Sequence, residues 1–405
     1  MSLQRRGRPT AMSLVEKDKA HHMNGLGPQT PLSGSPSPAY RAPVPSAPKT
    51  GLLYDLRTFR WIVNPSSSFR ILLIPVILHL NWIYLVPLLT GTHAPSPFAP
   101  LLFISHPTPS PTGDDVNDPR YRKGWLDLVF ISYYIVFWSF IRQSITIHVC
   151  SPFARSFGIN RPAKLDRFGE QGYAVLYFAF FGAWGVRIMH MLPTWWYNTS
   201  AFWTEYPHWQ MIPELKAYYL AQAAYWCQQL IVLALRLEKP RKDYNELIAH
   251  HIVTLWLVGW SYGINLTLIG NAVYTSMDIP DTFLAFSKIL NYLRLERAKV
   301  VSFVVFLGVW TYFRHYLNLV MLWSVYTEFE TIPEDSKRWA PDDGVWMVWW
   351  MKWQIFAPIL LLQVLNLFWY YLILRILYRA LMVDELDDVR SDDEGDDEPP
   401  NKKED

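Results

Sequence analysis

The sequence predicts an all-α, polytopic integral membrane protein with about eight transmembrane helices. Three observations carry that prediction. The 405-residue chain is 51% hydrophobic but only 18% charged. Its apolar residues gather in runs of about 20, the length a helix needs to cross hydrocarbon. The alternation of apolar and polar residues that one-sided soluble elements require is missing from most of these runs. The pattern excludes an ordinary soluble enzyme and a nucleic-acid-binding module. Apolar strips of about 10 residues, the mark of a membrane barrel, are not the pattern either.

In chain order, residues 1–51 contain many prolines and serines with Arg5, Arg6, Arg8, Lys17 and Lys19. With no apolar period, they read as a disordered basic arm. No short apolar core follows the start, so a cleavable signal peptide is not expected. Residues 52–164 hold a juxtamembrane segment, two spans (71–91 and 125–148) and a proline-rich loop over 92–112. Leu52–Val63 is expected to lie on the membrane surface as a short amphipathic helix. Six further spans are drawn at 172–192, 216–236, 247–264, 266–290, 300–326 and 346–378. The run from Leu247 to Leu290 reads either as two helices, the fifth and sixth, meeting near Tyr262–Asn265, or as one helix plus a re-entrant piece. Residues 384–405 form an acidic tail of net charge −9, which leaves +11 on residues 1–383.

Bases set the orientation, because cytosolic loops are enriched in Lys and Arg. Arg155, Arg161, Lys164 and Arg167 follow span two, Arg236, Lys239, Arg241 and Lys242 follow span four, and Arg294, Arg297 and Lys299 follow span six. Loop 193–215 has no Lys or Arg. Both termini are therefore expected in the cytosol, with Arg120, Arg122 and Lys123 as one exception. Asn198-Thr199-Ser200 is a glycosylation sequon in a loop expected on the far side. Lys402 and Lys403, fourth and third from the end, resemble the dilysine address that returns proteins to the endoplasmic reticulum. Ser391 precedes Asp392, Asp393 and Glu394, a context for an acidophilic kinase, although a solvated acidic tail explains the same residues. The two cysteines, Cys150 and Cys227, support no disulfide framework and no CxxC site. No repeat of transporter type is visible.

Polar residues inside spans are expensive and ask for a reason. They concentrate between Glu246 and Asn291. Glu246, His250 and Thr254 share a helical stripe at i, i+4 spacing, and Glu246 is expected to hold one imidazole. His251 points about 100° away from His250. The bland alternative is a helix-packing pair bonded to backbone carbonyls on a neighbouring helix. Asp278 and Asp281 share a face around Pro280, with Lys288 two turns on; Asp278 also suits a capping role. Because spans five and six are antiparallel neighbours, two histidines and two aspartates are expected in one leaflet as an acid–base site. A zinc site is the competing reading, but the i, i+4 histidine pair of a metal-binding helix is absent, so no metal is assigned. Arg314, in mid-span, is expected to pair with one of the aspartates.

The segment Asp243–Tyr292 resembles the signature of the longevity-assurance ceramide synthases, members of the TLC-domain group. The matching residues are Glu246, His250, His251, Thr254, Ser261, Tyr262, Asn265, Gly270, Asp278, Asp281, Lys288, Asn291 and Tyr292. Met277 before the first aspartate, and no homeobox-like insertion between the first spans, resemble fungal members. The resemblance implies a TLC-domain helical bundle over 165–383. It also implies residence in the endoplasmic reticulum membrane and N-acylation of a sphingoid base by a fatty acyl-CoA. Catalysis falls to His250, His251, Asp278 and Asp281, with Glu246, Thr254, Lys288, Asn291 and Arg314 in support. Imidazole suits removal of a proton from the amine as it attacks the thioester. A route through an acyl-histidine is equally open. The thioester drives the reaction, so no cofactor is expected and acyl-CoA is a co-substrate. Implied partners are membrane lipid, a homodimer or heterodimer mate and a small single-span accessory subunit; nucleic acid is not among them. The family also points to the region of the last two spans, here Thr327–Val345, for acyl-chain length. A reading from another class is a non-catalytic TLC-type membrane protein acting in lipid handling or as a translocon accessory.

Overall fold

In the computed structural model, residues 51–237 and 243–382 are described. The expected basic arm, the acidic tail with Ser391, Lys402 and Lys403, and the loop bases Lys239, Arg241 and Lys242 lie outside the described residues.

Each apolar run becomes a helical rod. We label them α1 (Pro65–Thr90), α2 (Leu126–Ser156), α3 (Pro162–Met191), α4 (Pro213–Ala234), α5 (Tyr244–Gly263), α6 (Thr267–Tyr292), α7 (Glu296–Thr327) and α8 (Met351–Met382). Five of them, α1, α2, α3, α7 and α8, are long and apolar enough to cross a membrane by length and composition. The others, α4, α5 and α6, carry His250, His251, Gln222, Asp278 and Asp281. Two rods contain a π-helical turn, at Thr146–Cys150 in α2 and Thr311–Leu317 in α7. Such a turn inserts a residue and re-aims the side chains around it.

Local chemistry sets several ends. Asn64 caps α1 by accepting from the Ser66 N–H at 3.0 Å, and Pro65 takes the first helical position, where its missing N–H costs nothing. Gly91 ends α1 in the left-handed conformation. Before α1, the helix expected over Leu52–Val63 is shorter: an α-helix covers Leu52–Arg57 and a separate 3-10 turn Arg60–Ile62. Asp55 of the α-helix is buried, accepting from Ser67 Oγ at 2.8 Å and from Arg70 at 3.3 Å.

α3 and α6 pack most intimately. Gly182 and Gly185 on α3 leave room for Ile279 and Thr275 of α6, and a Cβ on Gly185 would overlap the Thr275 hydroxyl. Small residues that let backbones approach are the usual device where lipid supplies no hydrophobic drive between helices.

The loops at one end of the bundle, called distal below, are tied by buried polar groups. Lys216 of α4 is fully buried and satisfies its ammonium with Asp127 Oδ1 (2.8 Å) and the carbonyls of Ser105 and Arg122 (2.6 Å each). Asp127 Oδ2 accepts from the Tyr262 hydroxyl at 2.7 Å. Lys123 donates to the Gly263 carbonyl and stands over the Trp346 ring, while Arg120 pairs with Asp118 at 2.7 Å. The three bases counted against the expected orientation thus sit in a folded loop; two have side-chain partners, and the third lends Lys216 its carbonyl. A two-residue β-ladder, Pro107–Thr108 with Arg120–Tyr121, closes the same loop.

Candidate active site

The α5–α6 hairpin brings the polar segment together. Asn265, in the left-handed conformation at φ 62°, makes the turn between the two helices, and its side chain donates to the Gly344 carbonyl at 2.9 Å. Asn265 also begins a second glycosylation triplet, Asn265-Leu266-Thr267, and is buried there. Asn198 is exposed instead, in the turn before Thr199–Phe202, with its amide donating to the Pro193 carbonyl at 3.0 Å.

Between α4, α5, α6 and α8 runs a narrow slot with almost wholly apolar walls. One face of α5 lines it from His250 through Thr254 and Val258 to Ser261 and Ile264. These positions follow the helical stripe of the sequence. From His250 to Ile264 the helix rises about 21 Å. α6 adds Leu266, Gly270, Val273 and Met277; α4 adds Tyr219 and Trp226; α8 adds Ile355, Pro358 and Leu362. At the distal end the Tyr219 hydroxyl bonds to Ser261 Oγ, and Tyr219 stacks on Tyr262. The slot is therefore an apolar channel with an imidazole near one end and a hydroxyl-bonded strut near the other.

The two histidines take different environments. His250 lines the slot, and its ring meets Trp226 at 5.6 Å and Trp369 at 5.4 Å. Its Nδ1 is buried without a hydrogen-bond partner among the described residues. Such a nitrogen is costly to bury and available to a ligand. The His251 ring lies 5.7 Å from it and perpendicular, with Nδ1 bonded to the Leu247 carbonyl at 2.8 Å. A carbonyl only accepts, so Nδ1 of His251 carries the proton and Nε2 is the basic nitrogen of the neutral ring. This bond lies within the helix of His251 itself, not to a backbone carbonyl of a neighbouring helix as the bland alternative has it.

The aspartates lie beside the slot wall, next to Met277. Asp278 is fully buried and its Oδ2 accepts from Gln222 Nε2 of α4. Gln222 in turn accepts from the Tyr177 hydroxyl at 2.7 Å. Asp281 pairs with Arg314 at 2.7 Å. Neither aspartate hydrogen-bonds His250 among the described residues, and Glu246 is half-buried without a bond to it. Thr254 lines the slot as the stripe predicts. Asn291 lies at the far end of α6, accepting from Lys299 at 3.3 Å, and Lys288 is half-buried on the same helix. Trp226, Trp369, Gln222 and Asn366 belong to the site and were not singled out in the sequence. Gln222 and Asn366 were open to the same cost argument as the aspartates, being fully buried amides in apolar helices.

This architecture defines a multi-pass helical membrane protein built around an apolar slot with a polar edge. Residues 167–375 match the TLC domain. The chain is 43% identical over 293 residues to sphingosine N-acyltransferase lac1 of Schizosaccharomyces pombe, covering 72% of this chain and 74% of that protein. It is 39% identical over 283 residues to ceramide synthase LAG1 of Saccharomyces cerevisiae (70% and 68%), and 29% identical over 252 residues to ceramide synthase 4 of Mus musculus (61% and 60%). The chain belongs to the TLC-domain family, in its ceramide synthase group.

Proposed function

We propose that the protein is a ceramide synthase that transfers a fatty acyl group from acyl-CoA to the amine of a sphingoid base, with its chemistry at the His250 end of the slot. The observation that carries the site assignment is the partnerless Nδ1 of His250, a residue that lines the apolar channel.

The acyl chain lies in the slot with its thioester carbonyl at His250. The sphingoid amine is mostly protonated at neutral pH and is nucleophilic only after losing that proton. The ammonium first gives up one proton to water; an imidazole then takes a second proton from the amine nitrogen as it attacks the carbonyl carbon and hands it to sulfur as the C–S bond breaks, so CoA leaves as the thiol. In the two-step variant His250 attacks the thioester first and CoA leaves as the thiol; the amine then displaces the imidazole from the acyl-histidine. His251, fixed by Leu247, supplies a second imidazole at the mouth. Asp278 and Asp281 provide negative charge beside the Met277 wall, suited to holding the ammonium before deprotonation. No cofactor enters, because the thioester supplies the driving force.

We further propose residence in the endoplasmic reticulum with both termini cytosolic, eight crossings and a glycan on Asn198. A homodimeric or heterodimeric assembly with a small single-span subunit belongs to the same reading. A non-catalytic role in lipid handling is the rival, and the names carried by the relatives weigh against it.

The test is an acyltransferase assay on microsomes with dihydrosphingosine and a panel of acyl-CoAs. His250→Ala should abolish product while leaving protein level unchanged. Wild-type turnover in that variant ends the site assignment; no product from the wild-type protein with any acyl-CoA ends the functional one.

A further inference from the structure

We infer that Arg314, which lies outside the polar α5–α6 segment, is a positioning residue for acyl transfer that acts by clipping the proline-containing turn of α6 against the slot. The inference rests on the site proposed above.

The geometry is specific. Pro280 has no N–H, so the Ser276 carbonyl one turn before it receives no helical bond. Arg314 reaches this turn of α6 from α7. Its Nη2 donates to the Met277 carbonyl at 3.0 Å and pairs with Asp281 Oδ2 at 2.7 Å. Met277 and Asp281 are four residues apart, one turn of helix, so a single guanidinium nitrogen bridges the turn containing the proline. Nη1 donates to Asn366 Oδ1 of α8 at 3.3 Å, and Asn366 Nδ2 lies 3.7 Å from the Met277 sulfur. Met277 is slot wall. The guanidinium carbon stands 4.1 Å from the Trp310 ring centroid.

The π-helical turn Thr311–Leu317 is the local device behind this reach, because it re-aims Arg314 out of the regular α7 register. The side chain is 3% exposed, and α6, α7 and α8 all contribute to its surroundings. An arginine placed only to join two helices needs one acid. This one also fixes a backbone carbonyl and, through Asn366, the side chain of a slot residue. A lysine can keep the charge opposite Asp281 but lacks the planar fork that makes the other contacts together.

The experiment compares the full-length wild type with Arg314→Lys, Asn366→Leu and His250→Ala in microsomes, normalised to folded protein by size-exclusion of the detergent extract. Arg314→Lys is expected to fold, to keep KM for acyl-CoA within about twofold and to lose at least about tenfold in kcat, the signature of displaced reacting groups. Asn366→Leu retains the Arg314–Asp281 pair and is expected to lose about threefold or more in kcat with the same KM. Wild-type kcat per folded molecule in Asn366→Leu, or in a folded Arg314→Lys, overturns the inference even if the amount of protein falls. His250→Ala separates the two levels: if it is inactive while the Arg314 and Asn366 variants keep full kcat, only this inference falls. If His250→Ala is active, the underlying site falls and takes this inference with it.

Discussion

Gly270 offers a quantitative test of the slot, because the space for its missing side chain is already taken. A Cβ at this position would overlap the Tyr219 hydroxyl and lie 2.7 Å from Tyr219 Cζ. Tyr219 is 1% exposed and its hydroxyl is bonded to Ser261, so it has no free direction except into the slot. Gly270→Ala therefore overpacks the distal end, at about 1–3 kcal/mol. Losing the Tyr219–Ser261 bond adds about 1 kcal/mol. Ser261 lies eleven residues beyond His250, so a displaced Tyr219 obstructs the slot at a depth of about 16 Å. Two readouts follow. The detergent-solubilised variant should lose folded protein at a lower temperature than wild type. Given a panel of acyl-CoAs, it should also shift its products toward shorter acyl chains, as read by mass spectrometry. Adding Tyr219→Leu relieves the overlap and should return both heat tolerance and long-chain products. If Gly270→Ala matches wild type in both, then either Tyr219 does not close the slot or acyl chains do not enter it, and the reasoning fails.

Other perturbations probe separate parts of the structure. Lys216→Met leaves Asp127 buried opposite no ammonium and should destabilise the protein by about 3–5 kcal/mol; a thermal challenge should show partial recovery in Lys216→Met/Asp127→Leu. Gln222→Leu removes the amide that Asp278 Oδ2 accepts from and should lower specific activity about tenfold or more while the extract stays monodisperse, if Asp278 must be held in place. Asn198→Gln should abolish an endoglycosidase-sensitive mobility shift, whereas Asn265→Gln should not alter it. Burial holds His208, in the loop after α3, below the ordinary histidine range, opposed by its bond to the Phe202 carbonyl. Its folded pKa is thus lower than its unfolded one, and the unfolded state binds more protons between the two. Stability of this loop should therefore be lost as pH falls below about 6.5, and limited proteolysis at pH 5 and 7.5 should show faster cleavage at the lower pH.

The helices were legible because hydrocarbon demands long apolar runs, and every rod lies on one of them. The hairpin of α5 and α6 was one of two readings the sequence left open; Asn265, a residue that tolerates the left-handed turn, makes it the one the chain adopts. The cost of polar groups in apolar helices marked His250, Asp278, Asp281 and Arg314. Their partners were not readable, because pairing depends on which helices pack together. Nothing in the chain order says that Asp278 meets Gln222 on α4 or that Arg314 chooses Asp281 over Asp278. The reach of Arg314 also depends on a π-helical turn, which a regular 3.6-residue period cannot anticipate. Adjacent histidines were expected to diverge, and they do. That His250 rather than His251 faces the slot follows from the rotation of α5 against α4 and α8, a tertiary quantity. The expected role of Glu246 rested on i, i+4 spacing alone, and spacing permits a contact without requiring one.

The most direct test of the central claim is photolabelling with an acyl-CoA that carries a diazirine at the end of its chain. If the chain lies in the slot with its carbonyl at His250, label should appear on the peptides that contain Ile264–Val273 and Ile355–Leu362, and excess unlabelled acyl-CoA should suppress it. Label confined to the lipid-facing surfaces of α1 or α7, with none on those peptides, would contradict the account.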